Sequence, residues 1–118
     1  MVALPLIVGD QGDVDVFETV RDLERYVESP DAAECQVYDA SGQRYFFKGY
    51  REPSKGGAVV QKVQPVQLDE EDPGPQSAEE LAQLLRSYLQ RVGHREPVES
   101  WSLQQLVQKT IELSGYTR

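Results

Sequence analysis

The stretch from Glu34 to Leu68 reads as a β-hairpin followed by a third strand, and it commits the chain to a sheet. Cys35, Val37, Tyr45 and Phe47 are placed to line the sheet faces, and Asp39-Ala40-Ser41-Gly42 supplies the turn between the two arms. Runs rich in β-branched and aromatic residues, joined by a short Asp/Ser/Gly cluster, are the sequence signature of a hairpin. Arg44, Phe46, Lys48 and Tyr50 fall on one side of the second arm, and Tyr45 and Phe47 on the other. The third strand is expected over Ala58–Leu68. Pro65 has no N–H to give a ladder, so this strand belongs at an edge or breaks there in a bulge.

The segments before the hairpin fit the same sheet. Val2–Val8 reads as a buried strand, turned back by Gly9-Asp10-Gln11-Gly12. Val14 and Val16 then alternate with Asp13 and Asp15, as in a strand with one wet face. From Thr19 the period becomes helical, with Val20, Leu23 and Tyr26/Val27 on one side. Thr19 and Asp22 form a capping arrangement at its start, and Ser29-Pro30 closes it.

Beyond Leu68, Asp69-Glu70-Glu71-Asp72 and Pro73-Gly74-Pro75 read as a solvated linker over 69–76. Ser77 with Glu80 is a capping box. Leu81, Leu84, Leu85, Tyr88, Leu89 and Val92 share one helix face, and Gly93 stands where a C-terminal cap belongs. A last helix starts at Ser102 with Gln105 as its box partner and Trp101 placed to staple against Leu106. Its apolar stripe is Leu103, Leu106, Val107, Thr110, Ile111 and Leu113, and Gly115 ends it. Two antiparallel helices of this kind cover one face of a sheet. The expected architecture is therefore α+β, ordered β-β-α-β-β-β-α-α, with a mainly antiparallel sheet covered on one face by helices. At 118 residues it is a single domain, sheet-rich over 1–68 and helical over 77–116.

Charge narrows the functions. The chain has 20 acidic and 12 basic residues, net −8, with a pI near 4.6. Nucleic-acid affinity is built largely on Lys and Arg, so nucleic acids and acidic membrane surfaces are disfavoured partners. Val2–Val8 is too short to span a bilayer, is interrupted by Pro5 and lacks a basic flank, so no export signal is read; a single cysteine, Cys35, fits a reducing cytoplasm.

The residues that carry chemistry are few. His94 is the sole histidine, in a polar inter-helix segment, which leaves no set of His ligands and no triad. Cys35 sits at an alternating strand position that suits a small buried hydrophobe. The Asp69–Asp72 run lacks the spaced ligand pattern of a calcium loop, and Gly56-Gly57 lacks the rest of a phosphate-cradling motif. No cofactor, metal or catalytic constellation is expected.

One cluster runs against the overall charge. From Arg44 to Lys62, Glu52 is the sole acid among Arg44, Lys48, Arg51, Lys55 and Lys62, and Phe46 and Tyr50 are interleaved. Arg44, Phe46, Lys48, Tyr50, Arg51, Lys55 and Lys62 are thus the candidate ligand or partner surface, able to hold a nucleotide or acidic group by charge and stacking. The competing reading covers those aromatics with helices and spends the basic groups on nearby carboxylates.

With Val16-Phe17 leading into the first helix and Tyr38-Asp39-Ala40-Ser41-Gly42 at the hairpin, the layout resembles small uncharacterised bacterial proteins, some of them similar to toxin-immunity proteins. The resemblance implies a protein that occludes a basic partner and carries no functional residues across. The expectation is a non-enzymatic, cytoplasmic protein-interaction module with a basic protein partner, an inhibitor or immunity-like protein. The alternative is a small-ligand or nucleotide-binding regulator working through the Arg44–Lys62 surface, and an exposed sheet edge could pair a second copy.

Overall fold

The computed structural model of the chain describes residues 2–10, 12–27, 35–48, 66–93 and 97–117. They form one open antiparallel sheet of four strands with three helices, an α+β arrangement. The strands are β1 (Leu6–Asp10), β2 (Asp13–Phe17), β3 (Gln36–Tyr38) and β4 (Arg44–Tyr45), ordered β2-β1-β3-β4. The helices are α1 (Val20–Tyr26), α2 (Ala78–Arg91) and α3 (Leu103–Ser114).

Leu6, Val8, Phe17, Val37 and Tyr45 share one face of the sheet, and Ile7, Val14, Val16 and Tyr38 share the other, as the registers Leu6↔Phe17, Ile7↔Val16, Ile7↔Tyr38 and Val37↔Tyr45 require. Both faces are covered. Leu23 of α1 packs with Leu6, Val8, Phe17, Val37, Phe47, Val66 and Leu68. Leu81, Leu85 and Leu89 of α2 and Leu106 and Val107 of α3 pack with Ile7, Val14, Val16 and Tyr38. The one-sided cover expected from the sequence is thus corrected. β1 is apolar at every position from Leu6 to Val8, as befits a strand buried on both faces.

Local chemistry explains where elements start. Pro5 has no N–H to contribute, and β1 begins after it, running on through Gly9 and Asp10, which the sequence pattern assigned to the turn. Ala3 instead donates to Asp39 Oδ2 at 3.1 Å and accepts from Ala40 N at 2.8 Å. In α1, Thr19 Oγ1 accepts from Asp22 N at 3.1 Å, and Val27 is already extended; Ser29-Pro30 lies outside the described residues. The hairpin turn is organised by Asp39, whose Oδ1 accepts from Ser41 N, Ser41 Oγ and Gln43 N. Gly42 closes it at φ 90°, against Ala78, where no side chain fits.

The expected strand Ala58–Leu68 lies mostly outside the described residues. Its end is described: Leu68 bridges Phe47, and Leu68 N donates to Glu24 Oε2 at 2.8 Å. The acidic segment after it runs along β4. Arg44 N donates to Pro75 O at 3.1 Å, Gly74 N to Arg44 O at 2.9 Å and Asp69 N to Phe46 O at 2.9 Å, while Glu70, Glu71 and Asp72 face solvent.

The two C-terminal helices cross. Arg86 Nη2 donates to Trp101 O, just ahead of α3, at 3.4 Å, and Tyr88 Oη lies 2.6 Å from Ser114 Oγ at its end. Helices lying side by side could not bring both ends of a twelve-residue element to the same turn of α2. Val92, the C-cap of α2, and Leu113, in the last turn of α3, both read as stripe positions, are half exposed. The Ser102–Gln105 capping box forms in both directions, and Gly93 and Gly115 take positive φ at the helix ends. The Ser77–Glu80 box does not form: Ser77 N already donates to Gly42 O at 2.8 Å, and Glu80 turns to another donor.

Candidate functional site

The basic aromatic surface is drawn inward where it is described. Arg44 and Phe46 stand two residues apart on the face of Tyr38. The guanidinium carbon of Arg44 lies 5.5 Å from the Tyr38 ring centroid and 4.8 Å from that of Phe46, a cation held between two π faces. Among the described residues its buried Nε has no hydrogen-bond partner, and the guanidinium is set against the two rings. Phe46 is half-buried against Gly74, where an added Cβ would sit 2.5 Å from the ring.

Glu80 completes this group by accepting from Tyr38 Oη at 2.9 Å. Burial first, then the hydrogen bond and charge of Glu80, push the Tyr38 hydroxyl up to about 12, with Arg44 pulling the other way. Tyr45, on the opposite face, is also raised, by burial and then by Asp39 and Glu70. Lys48 is exposed, its N–H donating to Gln67 O at 2.8 Å. Tyr50, Arg51, Lys55 and Lys62 lie outside the described residues. Of the sequence-derived surface, the fold therefore brings Arg44 and Phe46 together around Tyr38, and uses them in packing.

Other candidates are placed as follows. Cys35 is half-buried and packs against the core on the α1 face. His94 and Gly56-Gly57 lie outside the described residues. Among the described residues, no group of three or more His, Cys, Asp or Glu side chains converges as a metal site would, and no helix is long and apolar enough to cross a membrane. A groove of about 380 Å³ follows the outer side of α3, lined by Trp101, Gln104, Gln105, Gln108, Lys109 and Glu112. Lys109 Nζ is 3.3 Å from Glu112 in that lining.

Several cations are engaged with the protein itself. Arg86 caps the carbonyls of Val98 and Trp101, Arg91 Nη2 donates to Gly12 O at 2.6 Å and Asp13 Oδ1 at 3.0 Å, and Arg44 lies between rings. Many acids point outward: Asp13, Glu18, Glu70, Glu71, Asp72, Glu79, Glu99 and Glu112 are all exposed.

The two sheet edges differ. On β4 the outward backbone of Arg44 and Phe46 is bonded by the 69–75 segment. On β2, Thr117 N donates to Val16 O at 2.6 Å and Thr117 Oγ1 to Asp15 Oδ1 at 3.0 Å. Carbonyls alternate in direction along a strand, so Val14 points its N–H and C=O the same way, away from β1. Sequence reading missed this edge, because Asp-Val-Asp-Val reports a two-faced strand and says nothing of its place in the sheet.

No protein-family model matches this chain, and no curated protein or solved structure shows a match to it.

Proposed function

We propose that the chain is a non-enzymatic, cytoplasmic protein-interaction module that binds a basic protein partner through its acidic surface, in the manner of an inhibitor or immunity-like protein. The observation that carries this reading is the division of charge: Arg44 lies between rings and Arg86 caps carbonyls, while the carboxylates of Glu18, Glu70, Glu71, Glu79 and Glu99 are exposed. A net charge of −8 arranged this way steers a basic surface into contact and gives a fast, salt-sensitive encounter.

The test is a pull-down from source-cell lysate at low and high salt, run beside a broad hydrolase and nucleotide-binding screen. The reading expects a basic protein retained at low salt and released at high salt. Turnover abolished by a Cys35 or His94 substitution, with no protein recovered at either salt, would overturn it.

A further inference from the structure

We infer that the outer edge of β2 is the docking line for a basic extended segment of that partner, which adds to the sheet as a further strand; this inference rests on the reading of the protein as a binder of basic partners. Val14 and Val16 turn their side chains into the core and their backbone groups away from β1. No described residue bonds the Val14 N–H or C=O, and of Val16 the carbonyl alone is bonded, by Thr117. Val14 and Val16 are 6% and 0% exposed as whole residues, so the segment at Thr117 lies over this line and must leave before a strand can add to the unpaired groups.

What holds the edge at present resembles the proposed occupant. At one end a guanidinium, that of Arg91, reaches Gly12 O and Asp13. At the other a backbone N–H, that of Thr117, makes the ladder bond to Val16. An extended segment with Lys or Arg would supply both contacts at once, together with the ones missing at Val14. The Arg91–Asp13 pair is open to solvent, with side chains 53% and 81% exposed, and exposed pairs of this kind contribute little, so it yields readily.

Charge selects the occupant. Asp13 and Asp15 lie on the same face of β2 two residues apart, so a partner strand with cations at alternate positions places them beside these carboxylates. A second copy pairing β2 with β2 antiparallel about its centre would set Asp15 against Asp15, which is repulsive. The edge therefore favours a Lys/Arg-alternating strand over self-association.

The experiment uses the full chain and blocked peptides alternating Lys with Val, Glu with Val, or carrying the Lys residues in one block. Binding is followed by calorimetry, and the Val14 and Val16 amides by hydrogen exchange. The Lys–Val peptide is expected to bind and to slow exchange at Val14 and Val16 by about tenfold or more. The Glu–Val peptide is expected not to bind. Asp13→Lys weakens the interaction by about tenfold, and Thr117→Pro, which removes the competing N–H, tightens it. Binding of the Lys peptides with no protection of these amides would overturn strand addition while leaving recognition of a basic partner standing. No binding of any Lys peptide, or protection of these amides by self-association alone, would likewise overturn it.

Discussion

The hydroxyl of Tyr38 donates to Glu80 Oε1 across 2.9 Å, and this one bond ties the middle of the sheet to the first turn of α2. It has a titration consequence. The Tyr38 hydroxyl is raised to about 12 from an ordinary value of 10.0, so the folded state holds its proton where the unfolded chain gives it up. The stabilisation is complete below pH about 10 and is lost as pH climbs towards about 12. Ultraviolet titration should show a late tyrosinate phase that disappears in Tyr38→Phe. At neutral pH that variant should lose about 1–3 kcal/mol in chemical denaturation, as expected for a bond to a charged acceptor.

Asp39 is buried at 2% exposure and accepts from Ala3, Ser41 and Gln43. Asp39→Ala leaves these backbone donors unmatched and should cost about 2–4 kcal/mol by urea denaturation. A loss below about 0.5 kcal/mol would show that water replaces the carboxylate without strain.

Leu85 and Leu106 are fully buried where α2 and α3 cross over Ile7 and Val16. Leu85→Ala and Leu106→Ala should each destabilise by about 2–5 kcal/mol. Val92→Ala and Leu113→Ala, at half-exposed positions, should each stay within about 1 kcal/mol, which separates core from apparent stripe.

Gly42→Ala should be among the costlier substitutions of a single methyl. Its φ of 90° disfavours a side chain, by roughly 1 kcal/mol. The new Cβ would also overlap the backbone of Ala78, adding about 1–3 kcal/mol of overpacking. Equilibrium unfolding measures the sum.

These particulars show which parts of the molecule were legible in the sequence. Asp39-Ala40-Ser41-Gly42, Thr19 with Asp22, and Ser102 with Gln105 act within a few residues of themselves, so short patterns report them. Ser77 with Glu80 has the same pattern but is overruled by distant groups, the Gly42 carbonyl and the Tyr38 hydroxyl. The acidic 69–76 segment docks on β4 through its backbone, which leaves no side-chain signature. Helix periodicity placed Leu85 and Leu106 correctly and Val92 and Leu113 wrongly, because the stripe alone does not say how far along each helix the covered part extends, and both of these residues stand at helix ends. Of the site, Arg44 and Phe46 were placed with Lys48 and Tyr50 on one side of the hairpin's second arm, while their inward use depends on Tyr38 across the hairpin and on Gly74, far along the chain.

The most direct test of the account is the rate at which the captured basic partner associates with this chain as salt is raised. From about 0.1 M to about 1 M the Debye length shrinks from about 10 Å to about 3 Å. Steering by exposed carboxylates predicts a fall in association rate of about tenfold or more over that range, and a slower rate at low salt for Asp13→Lys and Glu79→Lys. An association rate that does not change with salt, and is untouched by both charge reversals, would contradict the account.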